Sequence, residues 1–352
     1  MKIIHCSDLH IDSPLTSNLP VDKVKERKGE IAAGFGRLVD YAKQRGVGAI
    51  IIAGDAFDSG EVSFAAKEIF LSVIDKAKEV KFFICGGNHD GESFLSSLKA
   101  PNVTVFKNVW EYFDLGGVTV TGLSFCDYER ELSKLSLDKT TLNIVALHGV
   151  AALSGGGEKI NLNLLKDKGV DYLALGHYHG FSLSQLDKRG VYCYSGCLEG
   201  RGYDETGEKG FVLLDVTSKI TAEFIPFARR TLHSIEVDIS GVKSSADIIK
   251  EIENAVKNTA QKDMVEIKLT GALKRGVAKG LNYVEGEFSH RFYHFRLKDG
   301  SKIEIDKEAL AKEVSLSGEF TRLVLEEVTD KELADKIIYK GIMALSGQKD
   351  EL

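Results

Sequence analysis

The sequence predicts an α/β fold: a two-layered β-sandwich flanked by helices, followed by a small β-α-β domain and a helical C-terminal tail. Short apolar, β-branched runs such as residues 48–53 are too hydrophobic for half-exposed strands, and they indicate sheets covered on both faces. The first three strand-like runs alternate with helical patterns, which favours right-handed crossovers between parallel strands. At 352 residues, the chain is long enough for more than one domain.

The first part of the chain is predicted to begin with strands at residues 2–7, 48–53 and 81–85 and with helices at residues 21–44 and 62–78. Shorter strands with glycine turns then follow, at residues 103–106, 118–125, 142–147, 170–175, 191–195, 211–216 and 220–225. This pattern predicts two layers of sheet whose polar loops gather at one edge.

The organisation changes near residues 227–230. Alternating strands at residues 233–239 and 264–270 enclose an amphipathic helix at residues 244–258, for which Ser244 is the predicted N-cap. Further helices are predicted to start near Asp306, Ser317 and Asp330. We therefore predict three domains: residues 1–228, a capping domain at 229–298 and a helical tail at 299–352.

The composition is that of an ordinary globular protein, with 43% hydrophobic and 28% charged residues. The net charge of −6 argues against a general nucleic-acid coat but leaves room for a local basic groove. The five scattered cysteines favour reduced thiols, and no apolar run approaches the length of a transmembrane helix. With a strand predicted from Lys2, we expect no signal peptide and a cytoplasmic protein.

Polar side chains follow the ends of the predicted buried strands. After the third strand, Gly86 and Gly87 are expected to let the backbone turn sharply into Asn88, His89 and Asp90, although Gly-Asn-His-Asp is also an acceptable ordinary turn. The strand ends together present Asp8, His10, Asp55, Asp58, Asn88, His89, Asp90, His148, His177 and His179. In α/β sheets, ligand sites are built at the carboxyl ends of the strands.

These side chains are typical ligands of divalent cations. Carboxylates, one amide oxygen and imidazoles are present and thiolates are absent, which disfavours a structural zinc site. Two carboxylates, one amide oxygen and four imidazoles, with His89 left over, make seven ligands. Seven are too many for one ion but suit two ions, provided that one carboxylate bridges the two. Two cations about 3.5–4 Å apart can clamp the attacking and leaving oxygens of an in-line displacement at phosphorus.

Five motifs occur in order: Asp-x-His, Gly-Asp-x-x-Asp, Gly-Asn-His-Asp, a lone His after a strand, and Gly-His-x-His. Over roughly residues 1–225 the chain thereby resembles the calcineurin-like metallophosphoesterase superfamily. The resemblance implies two divalent metal ions, with Mn²⁺ preferred by the nucleases of the family; Fe²⁺, Zn²⁺ or Mg²⁺ also suit the ligands. It implies that the metal ligands are Asp8, His10 and His179 for the first ion, Asn88, His148 and His177 for the second, and Asp55 as the bridge.

The resemblance also implies that His89 is a general acid, which protonates the departing oxygen, and that the Asp58 carboxylate orients its ring. A helix N-cap is the alternative role for Asp58. Asp90 is either a partner of a metal ligand or a turn residue. His5 is interpreted as a buried core histidine, and His233, His290 and His294 as surface or interface residues.

Within the superfamily, protein Ser/Thr phosphatases carry an arginine after the second Asp of Gly-Asp-x-x-Asp, where this chain has Ser59-Gly60. Purple acid phosphatases carry a tyrosine at the position of Asp58. The opening Ile-His-Cys-Ser-Asp-Leu-His-Ile-Asp-Ser-Pro instead resembles DNA-repair exonucleases of the SbcD (Mre-eleven) type, in particular the YhaO-like branch. That likeness implies DNA and a coiled-coil, SMC-like ATPase as partners and, in many members, a homodimer, although we see no dimer seam in the sequence.

Two further regions have open interpretations. Six cations interleaved with aromatic residues between residues 274 and 298 predict either a DNA-contacting surface or an exposed hairpin with its aromatics in the core. Arg201 is a weaker candidate for contacting a substrate phosphate. The apolar stripes of the C-terminal helices are either core or a docking face for a partner helix.

We therefore expect a two-metal phosphodiesterase that acts on DNA as a nuclease subunit. A stand-alone enzyme for a small phosphodiester or phosphomonoester, such as a cyclic nucleotide, is the main alternative. A metal-free binding scaffold is the third hypothesis, and the complete ligand set argues against it.

Overall fold

The computed structural model describes residues 1–15, 19–58, 62–91, 95–124 and 128–345. The chain divides into two compact units, the first comprising residues 1–233 with 262–264 and the second residues 234–261 with 265 onward. This division lies close to the predicted boundary after residue 228. The functions expected of residues 229–298 and 299–352 stay predictions. Among the helices described, none is long and apolar enough to cross a membrane.

The first unit contains most of the predicted strands. Its strands are β1 (Lys2–Cys6), β2 (Val47–Ala53), β3 (Lys81–Cys85), β4 (Val103–Val105), β5 (Glu111–Asp114), β6 (Val118–Gly122), β7 (Leu142–His148), β8 (Val150–Ala152), β9 (Lys159–Asn161), β10 (Tyr172–Gly176), β11 (Ser182–Gln185), β12 (Val191–Tyr194), β13 (Gly210–Val216) and β14 (Ile220–Pro226). The α-helices whose bounds lie within the described residues are α1 (Val21–Gln44), α2 (Phe64–Asp75) and α3 (Tyr128–Leu132), and a 3-10 helix spans Leu162–Leu164.

Two six-stranded sheets form the centre of this unit, which confirms the predicted two-layered architecture. One has the order β14-β13-β1-β2-β3-β4 and the other the order β11-β12-β10-β7-β6-β5. Strands β1 to β4 are mutually parallel, as are β6, β7, β10 and β12. Parallel neighbours end at the same edge of their sheet, and therefore the loops after β1, β2 and β3 lie side by side.

Strand β2 shows why its sequence is apolar throughout. Ile51 faces the layer between the sheets, where it belongs to the same core as Ile144 of the other sheet. Ile50 and Ile52 face outward into a second core with Phe35 of α1 and Phe70 of α2. All three isoleucines are fully buried. Burial of each such side chain contributes roughly 1.5–3 kcal/mol, so the strand that positions Asp55 is firmly held.

The second unit has the predicted β-α-β core. Its elements are β15 (Leu232–Asp238), α4 (Ser245–Val256), β16 (Met264–Thr270), β17 (Ala272–Lys274), α5 (Leu281–Phe288), β18 (His294–Asp299), β19 (Lys302–Glu304), α6 (Lys307–Ala311), α7 (Leu316–Glu327) and α8 (Lys331–Leu345), of which the first residues of β15 and β16 belong to the first unit. Strands β15, β16 and β18 form one sheet, and Ser244 caps α4 by accepting from the Asp247 N–H at 3.3 Å.

The predicted basic hairpin between residues 274 and 298 is wrong, because this segment contains helix α5. Phe288, Phe292 and Phe295 are buried in the core of the second unit, which supports the core interpretation for these aromatics. Several of the cations are paired: Arg296 and Lys298 contact the Glu266 carboxylate, and Lys279 contacts Asp299 at 2.6 Å. Three of the six cations of this segment are therefore paired with Glu266 or Asp299 of the second unit.

Candidate metal centre

The expected ligands gather where β1, β2, β3, β7 and β10 end. Four of them have positive φ although they are not glycines: Asp8 (51°), His10 (43°), Asp55 (49°) and His177 (105°). Such backbone conformations are strained, and they persist where the surrounding structure over-determines them, often at functional sites. Main-chain hydrogen bonds supply part of that support, since the N–H groups of Asp8 and His10 donate to the carbonyls of Gly54 and Asp55, both at 3.0 Å.

Two glycines make this close approach of loops feasible, although neither Gly86 nor Gly87 has a positive φ. A Cβ at Gly87 would lie 2.2 Å from Oδ1 of Asp55, so the absence of a side chain lets two loops meet. The positive φ is found at Gly54 (86°), where a Cβ would lie 2.1 Å from Nδ1 of His148. The tight packing around Asp55 therefore depends on glycine at both positions.

Asp55 lies between two groups of ligands. Its Oδ2 is 3.8 Å from Nε2 of His10 and 3.4 Å from Nε2 of His148, while its Oδ1 accepts from the backbone N–H of His89 at 3.0 Å. One carboxylate oxygen thus faces imidazole nitrogens that belong to both predicted sets. This is the position that a bridging ligand needs.

The first group consists of Asp8, His10 and His179, whose ligand atoms all lie within 4.8 Å of one another. The Nε2 atoms of His10 and His179 are 3.2 Å apart, and Nε2 of His179 is 3.8 Å from Oδ1 of Asp8. Two imidazole nitrogens and a carboxylate oxygen that converge in this way can coordinate one divalent cation.

The second group is built around His148, which is fully buried. Its Nε2 lies 2.9 Å from Oδ1 of Asn88, and its Nδ1–H donates to the backbone carbonyl of Ala53 at 3.0 Å. That hydrogen bond fixes the ring so that Nε2 faces Asn88 and Asp55, where a bound cation would replace the Nε2 proton. The ring of His177 lies edge-on to His148 with centroids 5.4 Å apart, so His177 is adjacent to this group.

The electrostatics of the centre suit a cation. Burial disfavours the charge on both partners of the His148–Asp55 pair, yet their mutual attraction raises the pKa of His148 to about 9 and holds the pKa of Asp55 at about 2. A buried imidazole that keeps a proton so firmly lies in a strongly negative environment. Divalent cations can replace such protons, and the donor set therefore fits two of them with Asp55 shared.

His89 and Asp58 lie together, but not as expected. Nδ1 of His89 is 3.2 Å from the backbone carbonyl of Asp58 rather than hydrogen-bonded to its carboxylate. Oδ1 of Asp58 instead lies 2.9 Å from Nδ1 of His10 and accepts from Nη1 of Arg201 at 2.7 Å. The N-cap alternative for Asp58 is wrong, since Ser63 caps helix α2.

The remaining candidates are structural. The Asp90 carboxylate accepts from the backbone N–H groups of Ala56, Phe57 and Gly87, and it thereby ties the loop after β3 to the loop after β2. His5 is fully buried with Nδ1 2.9 Å from the Tyr172 hydroxyl. In the part of the chain that the structure describes, the metal-ligating groups do not include His5, His233, His290 or His294.

Glu205 is a functional candidate that the sequence did not reveal. Its Oε1 lies 2.7 Å from Nδ1 of His179, and the same carboxylate accepts from Arg201. Glu205 lies on an irregular segment between β12 and β13, where neither periodicity nor a strand end marks it. Only the proximity of Arg201 in the sequence pointed to this segment.

Comparison with known proteins agrees with this geometry. The family described as calcineurin-like phosphoesterase matches residues 1–181, which is more than half of the chain. The chain belongs to this family.

Two curated proteins are similar to this phosphoesterase along most of its length. The uncharacterized metallophosphoesterase YhaO of Bacillus subtilis is 26% identical over 283 residues, which span 74% of this chain and 69% of that protein. The DNA double-strand break repair protein Mre11 of Sulfolobus acidocaldarius is 22% identical over 298 residues, which span 78% of this chain and 76% of the relative.

Among solved structures, a dimetal phosphatase from Danio rerio gives a TM-score of 0.45 at 12% identity and covers 63% of this chain and 95% of its own. Membership of the family makes this protein a metal-dependent phosphoesterase, which is a hydrolase.

Proposed function

We propose that the protein is a two-metal phosphodiesterase. The observation that carries this proposal is the position of Asp55, whose Oδ2 faces both His10, near Asp8 and His179, and His148, near Asn88. We propose that Asp8, His10 and His179 hold one cation, that Asn88, His148 and the neighbouring His177 hold the other, and that Asp55 is shared. Divalent cations bound there, for which Mn²⁺ is the proposed species, would act as Lewis acids toward the phosphoryl oxygens.

The role of His89 in this proposal is to protonate the leaving oxygen. Its ring is exposed, and its backbone N–H is fixed by Asp55. Because Nδ1 lies 3.2 Å from the carbonyl of Asp58, a protonated ring would keep its second N–H, at Nε2, for the leaving oxygen, and the ring lies 5.2 Å from that of His10. His89 thus presents a proton beside the centre without occupying a ligand position.

DNA is the substrate that we propose, with the protein acting as a nuclease in the cytoplasm. Its support is the relative named as a DNA double-strand break repair protein, which matches this chain well beyond the residues of the family match. The exposed apolar residues Val314, Leu316, Leu323 and Leu333 support a docking face for the coiled coil of an SMC-like ATPase, since Val324, Ile338 and Ile342 already fill the core of these helices.

One observation favours a small phosphodiester as the second candidate. Three of the six cations expected to contact DNA are engaged with Glu266 and Asp299, so the second unit offers fewer charges for phosphates than its sequence suggests. A nuclease of this kind would depend mainly on contacts around the metal centre itself.

The two substrates are separated by assaying the protein with Mn²⁺ on linear DNA and on cyclic nucleotides in parallel. We expect degradation of linear DNA that EDTA abolishes and that Asp8→Asn prevents. Cleavage of cyclic nucleotides with intact DNA would establish the second candidate. Hydrolysis that survives EDTA would contradict the two-metal proposal itself.

A further inference from the structure

We infer that Arg201 is a positioning residue that sets the geometry of the first metal group. It does so by holding two carboxylates, those of Asp58 and Glu205, each of which lies against the outer ring nitrogen of one ligand histidine. The inference rests on the proposed two-metal function and extends it to residues that touch neither substrate nor cation.

One end of the arrangement is the Arg201–Glu205 pair. Oε1 of Glu205 accepts from Nε and Nη2 of Arg201 at 3.1 and 2.9 Å, and Oε2 accepts from the Arg201 backbone N–H at 2.7 Å. Oε1 also lies 2.7 Å from Nδ1 of His179. The carboxylate is therefore fixed on several sides, and it can fix the tilt of the His179 ring in turn.

The other end is the Arg201–Asp58 pair. Nη1 of Arg201 donates to Oδ1 of Asp58 at 2.7 Å, and the same oxygen lies 2.9 Å from Nδ1 of His10. The Asp58 carboxylate, which was expected to orient the His89 ring, therefore contacts Arg201 and His10 instead. The side chains of Arg201 and Asp58 are only 20% and 16% exposed, so water screens this pair little.

These contacts form a closed loop. His10 and His179 face each other with their Nε2 atoms 3.2 Å apart, and their Nδ1 atoms lead through Asp58 and Glu205 to the same guanidinium. A planar guanidinium with several donors can hold two carboxylates at a fixed separation, whereas a lysine ammonium is a single point charge. Without Arg201, the two carboxylates lose their common partner and both rings lose their fixed orientation.

The segment that carries Arg201 is itself anchored in the first unit. The Glu199 carboxylate contacts Arg27 of α1 at 2.8 Å and also Arg37, while Nζ of Lys209 donates to the His179 carbonyl at 2.7 Å. Arg27 and Glu199 are buried, so this anchor is held inside the protein rather than on a mobile surface. A rigid support of this kind is what a positioning residue needs.

The second metal group does not use this arrangement. The Nδ1–H of His148 donates to the backbone carbonyl of Ala53, which no substitution of Arg201 removes. The inference therefore makes a selective prediction: loss of Arg201 weakens the first group and leaves the second intact. A general loss of stability would weaken both.

The test is a calorimetric titration of the metal-stripped protein with Mn²⁺, for the wild type and Arg201→Leu. The titrations are repeated with Asn88→Ala, which removes a ligand of the second group and so assigns each binding event. We expect Arg201→Leu to weaken binding at the first group by about 10- to 100-fold and binding at the second by less than about 2-fold. Equal affinities in wild type and variant, or equal weakening at both groups, would overturn the inference.

Two variants keep the test decisive if Arg201→Leu folds poorly. Arg201→Lys retains the charge but cannot hold both carboxylates, and Glu205→Gln retains the size of the side chain; both should weaken the first group selectively. Arg189→Leu is the matched control, because Arg189 also holds a carboxylate, that of Asp171, yet contacts no residue of the centre in the part of the chain described. Two intact binding events in every variant would refute the role of Arg201 and leave the proposed function standing, whereas a wild type that binds no Mn²⁺ would refute the proposed function.

Discussion

The two halves of the metal centre are supported in different ways. In the first half, the outer nitrogens of His10 and His179 lie against the carboxylates of Asp58 and Glu205. In the second half, His148 donates to the backbone carbonyl of Ala53, at the end of strand β2, whose residues 49–53 are fully buried. A carboxylate partner increases the basicity of a ligand imidazole more than a carbonyl does. The two histidines of the first half are therefore supported by side chains, while His148 of the second half is supported by the main chain; His177 of the second half lies 3.7 Å from the Glu158 carboxylate.

Because of this difference, we expect the two halves of the centre to respond differently to substitutions. Substitutions in the segment between β12 and β13 can alter the first half without disturbing either sheet. The geometry of His148, by contrast, depends on the position of β2, and Ile50, Ile51 and Ile52 hold that strand in two cores. The comparison predicts that the two halves respond separately to some substitutions and together to others.

The largest effect is expected for the residue that both halves share. Asp55→Asn keeps the size of the side chain but removes the charge that faces His10 and His148. We expect both cations to be lost and turnover of a chromogenic phosphodiester to fall by at least ~10³-fold. Metal analysis and kinetics check this outcome, and retention of both cations would show that Asp55 does not join the halves.

A smaller effect is expected for His89, which belongs to neither half. Its ring is held by the Asp58 carbonyl, outside both groups of ligands. His89→Gln should retain both cations and lose roughly 10²-fold in turnover, because the departing oxygen is no longer protonated. Steady-state kinetics with metal analysis of the same sample provides the measurement. Loss of a cation in this variant would assign His89 to one of the halves.

The smallest effect concerns His5, whose Nδ1 lies 2.9 Å from the Tyr172 hydroxyl. Burial lowers the pKa of His5 from 6.5 to about 3. Between these values the unfolded chain binds a proton that the folded protein does not, so the contribution to stability is complete above about pH 6.5 and declines as the pH falls. The slope is about 1.4 kcal/mol per pH unit.

Denaturant unfolding of the wild type and His5→Asn between pH 7 and 5 measures this slope. The difference between their free energies of unfolding should change with pH in favour of the variant as the solution becomes more acidic. A difference that stays constant over this range would mean that His5 is not held neutral.

The sequence was informative where apolar periodicity marks the end of a buried strand. Strands β1, β2 and β3 were recognisable from such runs, and the polar residues that follow them do meet in the structure. Arg201 and Glu205 could not be assigned in this way, because they lie on an irregular segment and act through contacts between residues far apart in the chain. The contacts of Asp58 differ from the prediction for the same reason: its carboxylate accepts from Arg201, which lies 143 positions away in the sequence.

Helix α5 is a second feature that could not be predicted from the sequence. The alternation of aromatic residues from Phe288 to Phe295 suited either a DNA-contacting surface or an exposed hairpin with its aromatics in the core. The packing of Phe288 against Phe295, with ring centroids 5.2 Å apart, places these aromatics in the core, and helix α5 replaces the hairpin. The contacts of Glu266 with Arg296 and Lys298 could not be predicted from the sequence either, since they join strands β16 and β18.

The most direct test of the two-halved centre is the number of cations that the wild-type protein binds. Titration of the metal-stripped protein with Mn²⁺, followed by calorimetry and by metal analysis after gel filtration, should give two bound ions per chain in two resolvable events. A single ion per chain, or none, would contradict the account of a centre shared by two groups of ligands across Asp55.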